Sequence, residues 1–144
     1  MKPINILNNL KESWSDEDYY KILSTLGISS SDASGGIIRF NNVDINKLID
    51  LYDEGYADPN DRQNNAPSIG EIIDFYHYHS SPEQTVRNFL VSGYVVVPTR
   101  RDYRISVDEV SFDFDNEALD DVVDFIKYAD EQSCENNHAE AWWD

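Results

Sequence analysis

Apolar side chains recur at helical spacing through the first half of the chain and change period near its middle. Ile4, Leu7 and Leu10, with Trp14 one turn on, outline a short first helix. Ser15-Asp16-Glu17-Asp18 then reads as an N-terminal cap, with acids in the first turn where the helix dipole favours them. Tyr19, Ile22, Leu23 and Leu26 give this second helix its apolar stripe, and Gly27 is a C-terminal stop. Ser29 to Gly36 is a loop, and Ile37 to Phe40 is a short strand. Asp44 caps a third helix with Ile45, Leu48, Ile49 and Tyr52 inward and Gly55 after it. Residues 56–67 are turn-formers throughout, a long connection of the functional or mobile kind. Ser68-Ile69-Gly70-Glu71 is a capping box that opens a helix carrying Ile69, Ile72, Ile73 and Tyr76. Ser81-Pro82-Glu83-Gln84 repeats the signal and predicts another helix that buries Val86, Phe89 and Leu90.

At Gly93 the pattern becomes β-like. Tyr94 to Val97 is apolar and β-branched, and residues 103–107 alternate, with Tyr103, Ile105 and Val107 on one face. These features predict a hairpin at about 94–107, with Val110 to Phe114 as a further strand. A last helix is expected over about 116–132, its stripe formed by Leu119, Val122, Val123, Ile126 and Ala129. The expected fold is therefore α+β. Helices occupy the N-terminal two-thirds, followed by a small antiparallel sheet and a C-terminal amphipathic acidic helix. Residues 1–132 are expected to form a single domain, and 133–144 a polar tail ending in the pair Trp142-Trp143.

Composition narrows the class. Nine Tyr, six Phe and three Trp in 144 residues supply a core that a disordered acidic chain would lack. The single cysteine, Cys134, excludes an internal disulfide framework and suggests a reducing compartment. No stretch approaches the roughly 18 apolar residues of a membrane span, and the N-terminus lacks the apolar core of a signal peptide. A cytoplasmic location is the expectation.

Charge changes the picture most. The net charge is −17, with 28 acids against 11 Lys and Arg. Residues 108–144 alone carry thirteen acids and one base, whereas 84–107 carry one acid and four bases. Such a surface repels nucleic acid and anionic membrane and attracts basic proteins. Glu117, Asp120, Asp121 and Asp124 fall at i, i+3, i+4 and i+7, on one helix face opposite the apolar stripe. Asp113, Asp115, Asp130 and Glu131 extend the negative surface past both ends. Like charges at this spacing disfavour a helix, and Lys127 is the one base nearby. Trp142 and Trp143 are of the type that anchors protein interfaces, and they serve equally well as core. A second acidic block spans residues 50–61. Arg100, Arg101 and Arg104 form a basic island at the hairpin turn and are expected to pair with the protein's own carboxylates.

Other chemistry is weakly signalled. His77 and His79 point to different faces of a helix, so zinc is not expected there, and Cys134 and His138 lie where the last helix should fray. Asp113-Phe114-Asp115-Asn116-Glu117 begins like a calcium loop, but Ala118 stands where that loop requires glycine. Glycine-rich phosphate loops and nucleophile-elbow or metalloprotease motifs are missing from the sequence. No catalytic residue, metal or cofactor is assigned. The expected function is binding: an inhibitor of immunity or anti-defence type, covering the basic, nucleic-acid-handling surface of a toxin or nuclease-like enzyme. The partner-contacting residues would be Asp113, Asp115, Glu117, Asp120, Asp121, Asp124, Trp142 and Trp143. A small metal- or carboxylate-dependent enzyme and a non-catalytic regulatory or structural module are the alternatives from other classes.

Overall fold

The computed structural model describes residues 10–144. The helix expected to begin at Ile4 lies mostly outside them, and its described part, residues 10–14, is not helical. Ser15 caps helix α1 (Asp16–Leu26) through a reciprocal box with Asp18, and Gly27 closes it at φ 71°. This left-handed conformation suits a residue without Cβ. Strand β1 (Ile37–Asp44) runs directly into α2 (Ile45–Asp53), where the Asp44 side chain accepts from the Asn46 amide. Helix α3 (Ile69–Ser80) begins at the Ser68–Glu71 capping box. Two long strands follow, β2 (Val86–Val96) and β3 (Arg104–Phe114), then a 3-10 turn (Asn116–Ala118) and α4 (Leu119–Ile126). The described residues end in a hairpin of β4 (Glu131–Glu135) and β5 (His138–Trp142).

Among the described residues there are four α-helices and one antiparallel sheet of five strands, ordered β1-β2-β3-β5-β4. This overturns the expected layout. Helices and strands are interspersed, the sheet is large, and strands rather than a helix follow α4. The expected helix at 84–90 is the first half of β2. Val86, Phe89 and Leu90 mimic helical spacing because pairing with β3 shifts between Arg87 and Leu90, where Asn88 adopts φ 54°. A bulge of this kind inserts a residue and resets the alternation, so Val86 and Phe89 face the same way. The expected separate strand at 110–114 is β3 continuing past a second register shift, at Ser92/Gly93. The expected helix to 132 stops at Ile126, and the polar tail supplies β4 and β5.

One face of the sheet carries the core. Ile38 and Phe40, Val91 and Val95, Ile105, Val107, Val110 and Phe112, and Ala139 and Ala141 are buried there with the helices' apolar stripes. Stacked pairs tie neighbouring elements together within each layer. Phe89 on β2 lies on Phe112 of β3 at 4.7 Å, and Phe75 on α3 lies on Phe125 of α4 at 4.1 Å. At Gly93 there is no room for a side chain between β2 and β3, since a Cβ there would lie 1.9 Å from the Ser106 carbonyl oxygen.

Candidate interaction surface

The hairpin β4-β5 brings the C-terminal carboxylates together. Asn136 and Asn137 both adopt left-handed conformations, φ 54° and 61°, and form a two-residue turn that pairs Glu135 with His138. Asn is among the few residues that accept this geometry readily. Residues opposite one another in an antiparallel ladder project from the same face. Glu131, Trp142 and Glu109 therefore form one row across β4, β5 and β3. Ser133, Glu140 and Ser111 form the next, and Glu135, His138 and Asp113 the third. Ala139 and Ala141 take the alternate positions of β5 and are buried against the helices, so the rows lie on the sheet face away from the core. Five carboxylates thus share that face with one indole and one imidazole.

Helix α4 covers the opposite face, where Phe125 packs against Phe112 and Trp143. Asp120, Asp121 and Asp124 all point to solvent from it, as their spacing predicted. Its apolar stripe is only half used. Val122 and Ile126 are buried, whereas Leu119 and Val123 are 40% and 49% exposed beside the aspartates. Exposed carboxylates therefore stand on α4 as well as on the open sheet face.

Internal partners engage part of this charge. His138 Nδ1 lies 2.7 Å from Asp113 Oδ1, and Asn88 Nδ2 donates to Asp113 Oδ2 at 2.8 Å. The Asn88 bond and then the His138 bond hold the Asp113 carboxyl below its ordinary pKa. Asp115, at the head of the 3-10 turn, accepts from Arg87 at 2.8 Å. On α4, Lys127 donates to Asp124 at 2.7 Å, and His79 Nε2 lies 3.4 Å from Asp121. Arg39 of β1 donates to Asp108 at 2.6 Å and reaches Glu109 at 3.6 Å. Among the described residues no cation forms a salt bridge with Glu117, Asp120, Glu131, Glu135 or Glu140.

The basic island does not reach this surface. Arg100 grips Asp102 with two nitrogens, at 2.9 and 2.7 Å. Arg104 donates to the Asp102 carbonyl at 2.9 Å and lies 3.5 Å from Asp61. Asp61 is pushed above the ordinary carboxyl range by burial, a rise that Ser106 and Arg104 only partly offset.

Of the expected contact residues, Asp113, Asp115, Glu117, Asp120, Asp121 and Asp124 all fall on the C-terminal part of the fold, on two different faces. Asp113 is on the open sheet face, and the α4 aspartates are on the far side of the helix layer. The Trp pair is divided. Trp142 is half-buried on the open face, while Trp143 is fully buried, edge-on to Phe125 at 6.4 Å. Trp143 is a core residue and cannot contact a partner in the folded protein. Cys134 and His138 project from opposite faces, since Cys134 pairs with Ala139 and His138 with Glu135. His77 is exposed and His79 buried. Among the described residues no group of three or more His, Cys, Asp or Glu side chains is placed to hold a metal ion. Glu131 was expected on the negative surface, whereas Glu109, Glu135 and Glu140 were missed by the sequence reading. Their signal was the alternation His138-Ala139-Glu140-Ala141-Trp142 behind an Asn-Asn turn.

No protein-family model matches the chain, and neither a curated protein nor a solved structure matches it. Among the described residues no helix is long and apolar enough to cross a membrane.

Proposed function

We propose that the protein is an acidic, protein-binding inhibitor of the immunity or anti-defence type. It acts in the cytoplasm and covers the basic, nucleic-acid-handling surface of a toxin or nuclease-like enzyme. The reading is carried by one observation: Glu131, Glu135 and Glu140 on the open sheet face, and Glu117 and Asp120 at the start of α4 on the other side, have no salt-bridge partners among the described residues. Grouped, unpaired carboxylates destabilise the protein that bears them, and a cationic surface relieves that repulsion. Opposite charge also accelerates encounter, toward about 10⁸–10⁹ M⁻¹s⁻¹ at low salt. Leu119 and Val123, exposed beside Asp120 and Asp124, supply apolar surface that contact would remove from water.

Charge reversal tests the reading. Asp120→Lys, Asp121→Lys and Asp124→Lys together change exposed positions, two of which contact His79 and Lys127, and circular dichroism verifies that the variant is folded. Affinity capture from a lysate of the source cell, at low salt, recovers a basic nucleic-acid-handling protein with the parent. The triple variant loses it. Equal recovery by both, or recovery of no basic protein, refutes the proposal.

A further inference from the structure

Strand β4 ends the sheet, and among the described residues nothing pairs with its outer edge. All five of its residues are exposed. It pairs with β5 without a register shift, whereas the pairing of β1, the other edge strand, slips between Phe40 and Val43 around Asn42 at φ 53°. The regular free edge is therefore that of β4. The two-residue turn makes Glu135 and His138 the closing hydrogen-bonded pair, so Ser133 and Glu131 also bond inward to β5. The N–H and C=O groups of Gln132 and Cys134 consequently point away from the sheet. The same alternation appears on β5, where Asn137 and Trp143 turn toward β3, the Trp143 amide donating to Asp108 at 2.9 Å.

We propose that this edge accepts an extended segment of a basic partner as an added antiparallel strand, with Lys or Arg opposite Glu131 and Glu135. The inference rests on the inhibitor reading above and names the surface it would use. Backbone groups of Gln132 and Cys134 supply the pairing, two donors and two acceptors in a straight row. The flanking charges choose the occupant. In a self-paired dimer the register that uses the whole strand opposes Glu131 to the second copy's Glu135, twice, and like charges directly opposite are unfavourable. A strand with basic residues four apart reverses the sign of both pairs. Its neutral middle residue meets Ser133, and the side chain opposite Glu131 extends toward the row that holds Trp142 and Glu109. Strand addition of this kind draws affinity from the main chain and specificity from alternate side chains.

The probe is a synthetic peptide containing Lys-Val-Thr-Val-Lys, used with the full chain at low salt. A second peptide of the same sequence is N-methylated at its pairing amides. Binding is measured by calorimetry, and exchange of the Gln132 and Cys134 amides by NMR. At about 90% saturation both amides exchange about tenfold more slowly, because only the free tenth is open to solvent. The N-methylated peptide binds weakly and protects neither. Gln132→Pro removes one outward N–H, keeps the bonds to β5 and weakens the first peptide about three- to tenfold, the loss of one hydrogen bond. Circular dichroism verifies that this variant is folded. Glu131→Gln with Glu135→Gln gives a second, milder perturbation in the same direction. Binding without protection of the two amides, or equal binding of the N-methylated peptide, overturns the edge proposal. If that binding is also lost in the α4 triple reversal, the inhibitor reading survives on the helix alone. No binding of the Lys peptide by the parent at low salt overturns the edge proposal too, and leaves the lysate capture to decide the inhibitor reading. Protection that rises with protein concentration and no peptide identifies a second copy as the occupant and likewise overturns it.

Discussion

Trp143→Ala weighs how firmly the terminal hairpin belongs to the fold. The indole is 1% exposed, the largest of the fully buried side chains, and meets Phe125 edge-on at 6.4 Å. The Trp143 main chain continues the β3 ladder through its bond to Asp108, and Asn64 donates to the carbonyl of Asp144. Truncating a buried aromatic of this size costs about 3–5 kcal/mol, the transfer loss plus the cavity left behind. Domains are stable by only about 5–15 kcal/mol, so the variant forfeits a large share of the total. At about 2–4 °C per kcal/mol for a chain near this length, the midpoint falls roughly 6–20 °C. In urea, with a slope of about 2 kcal/mol/M, the midpoint moves about 2 M lower while the slope is unchanged. Trp142→Ala, at the half-buried neighbour, costs roughly half as much or less, following the smaller area it removes from water. Chemical denaturation followed by far-ultraviolet circular dichroism measures all three proteins. A Trp143→Ala cost within about 0.5 kcal/mol of zero, the usual range for a surface position, refutes the placement of the indole in the core. So does an equal cost for the two tryptophans.

Gly93→Ala is expected to prevent folding or to cost more than about 4 kcal/mol, because the new Cβ would meet backbone on β3 rather than a movable side chain. A soluble variant with near-parental denaturation would contradict the close approach of β2 and β3. Stability is expected to depend on pH through two carboxyls of opposite sign. Asp61 has a raised folded pKa, so the native state holds that proton more tightly and stability increases as pH falls toward the unfolded value near 3.8. Asp113 has a lowered folded pKa, so its contribution is present above 3.8 and is lost as pH falls through the lower folded value. Asp61→Asn flattens the rise between neutral pH and that window, and Asp113→Asn removes part of the loss below it. Denaturation midpoints across the acid range measure both, and unchanged profiles would refute the assignments.

Local rules were readable from the chain wherever one residue and its near neighbours decide the geometry. Ser15 and Ser68 form their capping boxes, Gly27 ends α1, and Asp44 caps α2. The errors have two causes. At Asn88 and at the Ser92/Gly93 shift an inserted residue breaks the period of two, and Val86, Phe89 and Leu90 then imitate a helix. Ala129 continues the spacing of Val122 and Ile126, which carried the expected helix past Ile126 and concealed the Asn136-Asn137 turn. The exposed aspartates of α4 followed from helical spacing alone. The acidic sheet face did not, because Glu109, Glu131 and Glu140 become neighbours only through the register of β3, β5 and β4.

The path of β3 gives the molecule an electrical axis. Arg104 begins the strand beside Arg100 and Arg101, and Asp113 and Phe114 end it, roughly 33 Å further on at about 3.3 Å per residue. Because β5 pairs only with Glu109–Asp113, the terminal hairpin loads its glutamates onto the far pole. A body whose unpaired glutamates lie toward one end, while Arg100 and Arg104 at the other are held by Asp102 and Asp61, feels a torque in the field of a charged neighbour before any surfaces touch. It would turn its carboxylate pole toward a cationic neighbour while still separated by solvent, and much of the orientational search would be complete at first contact.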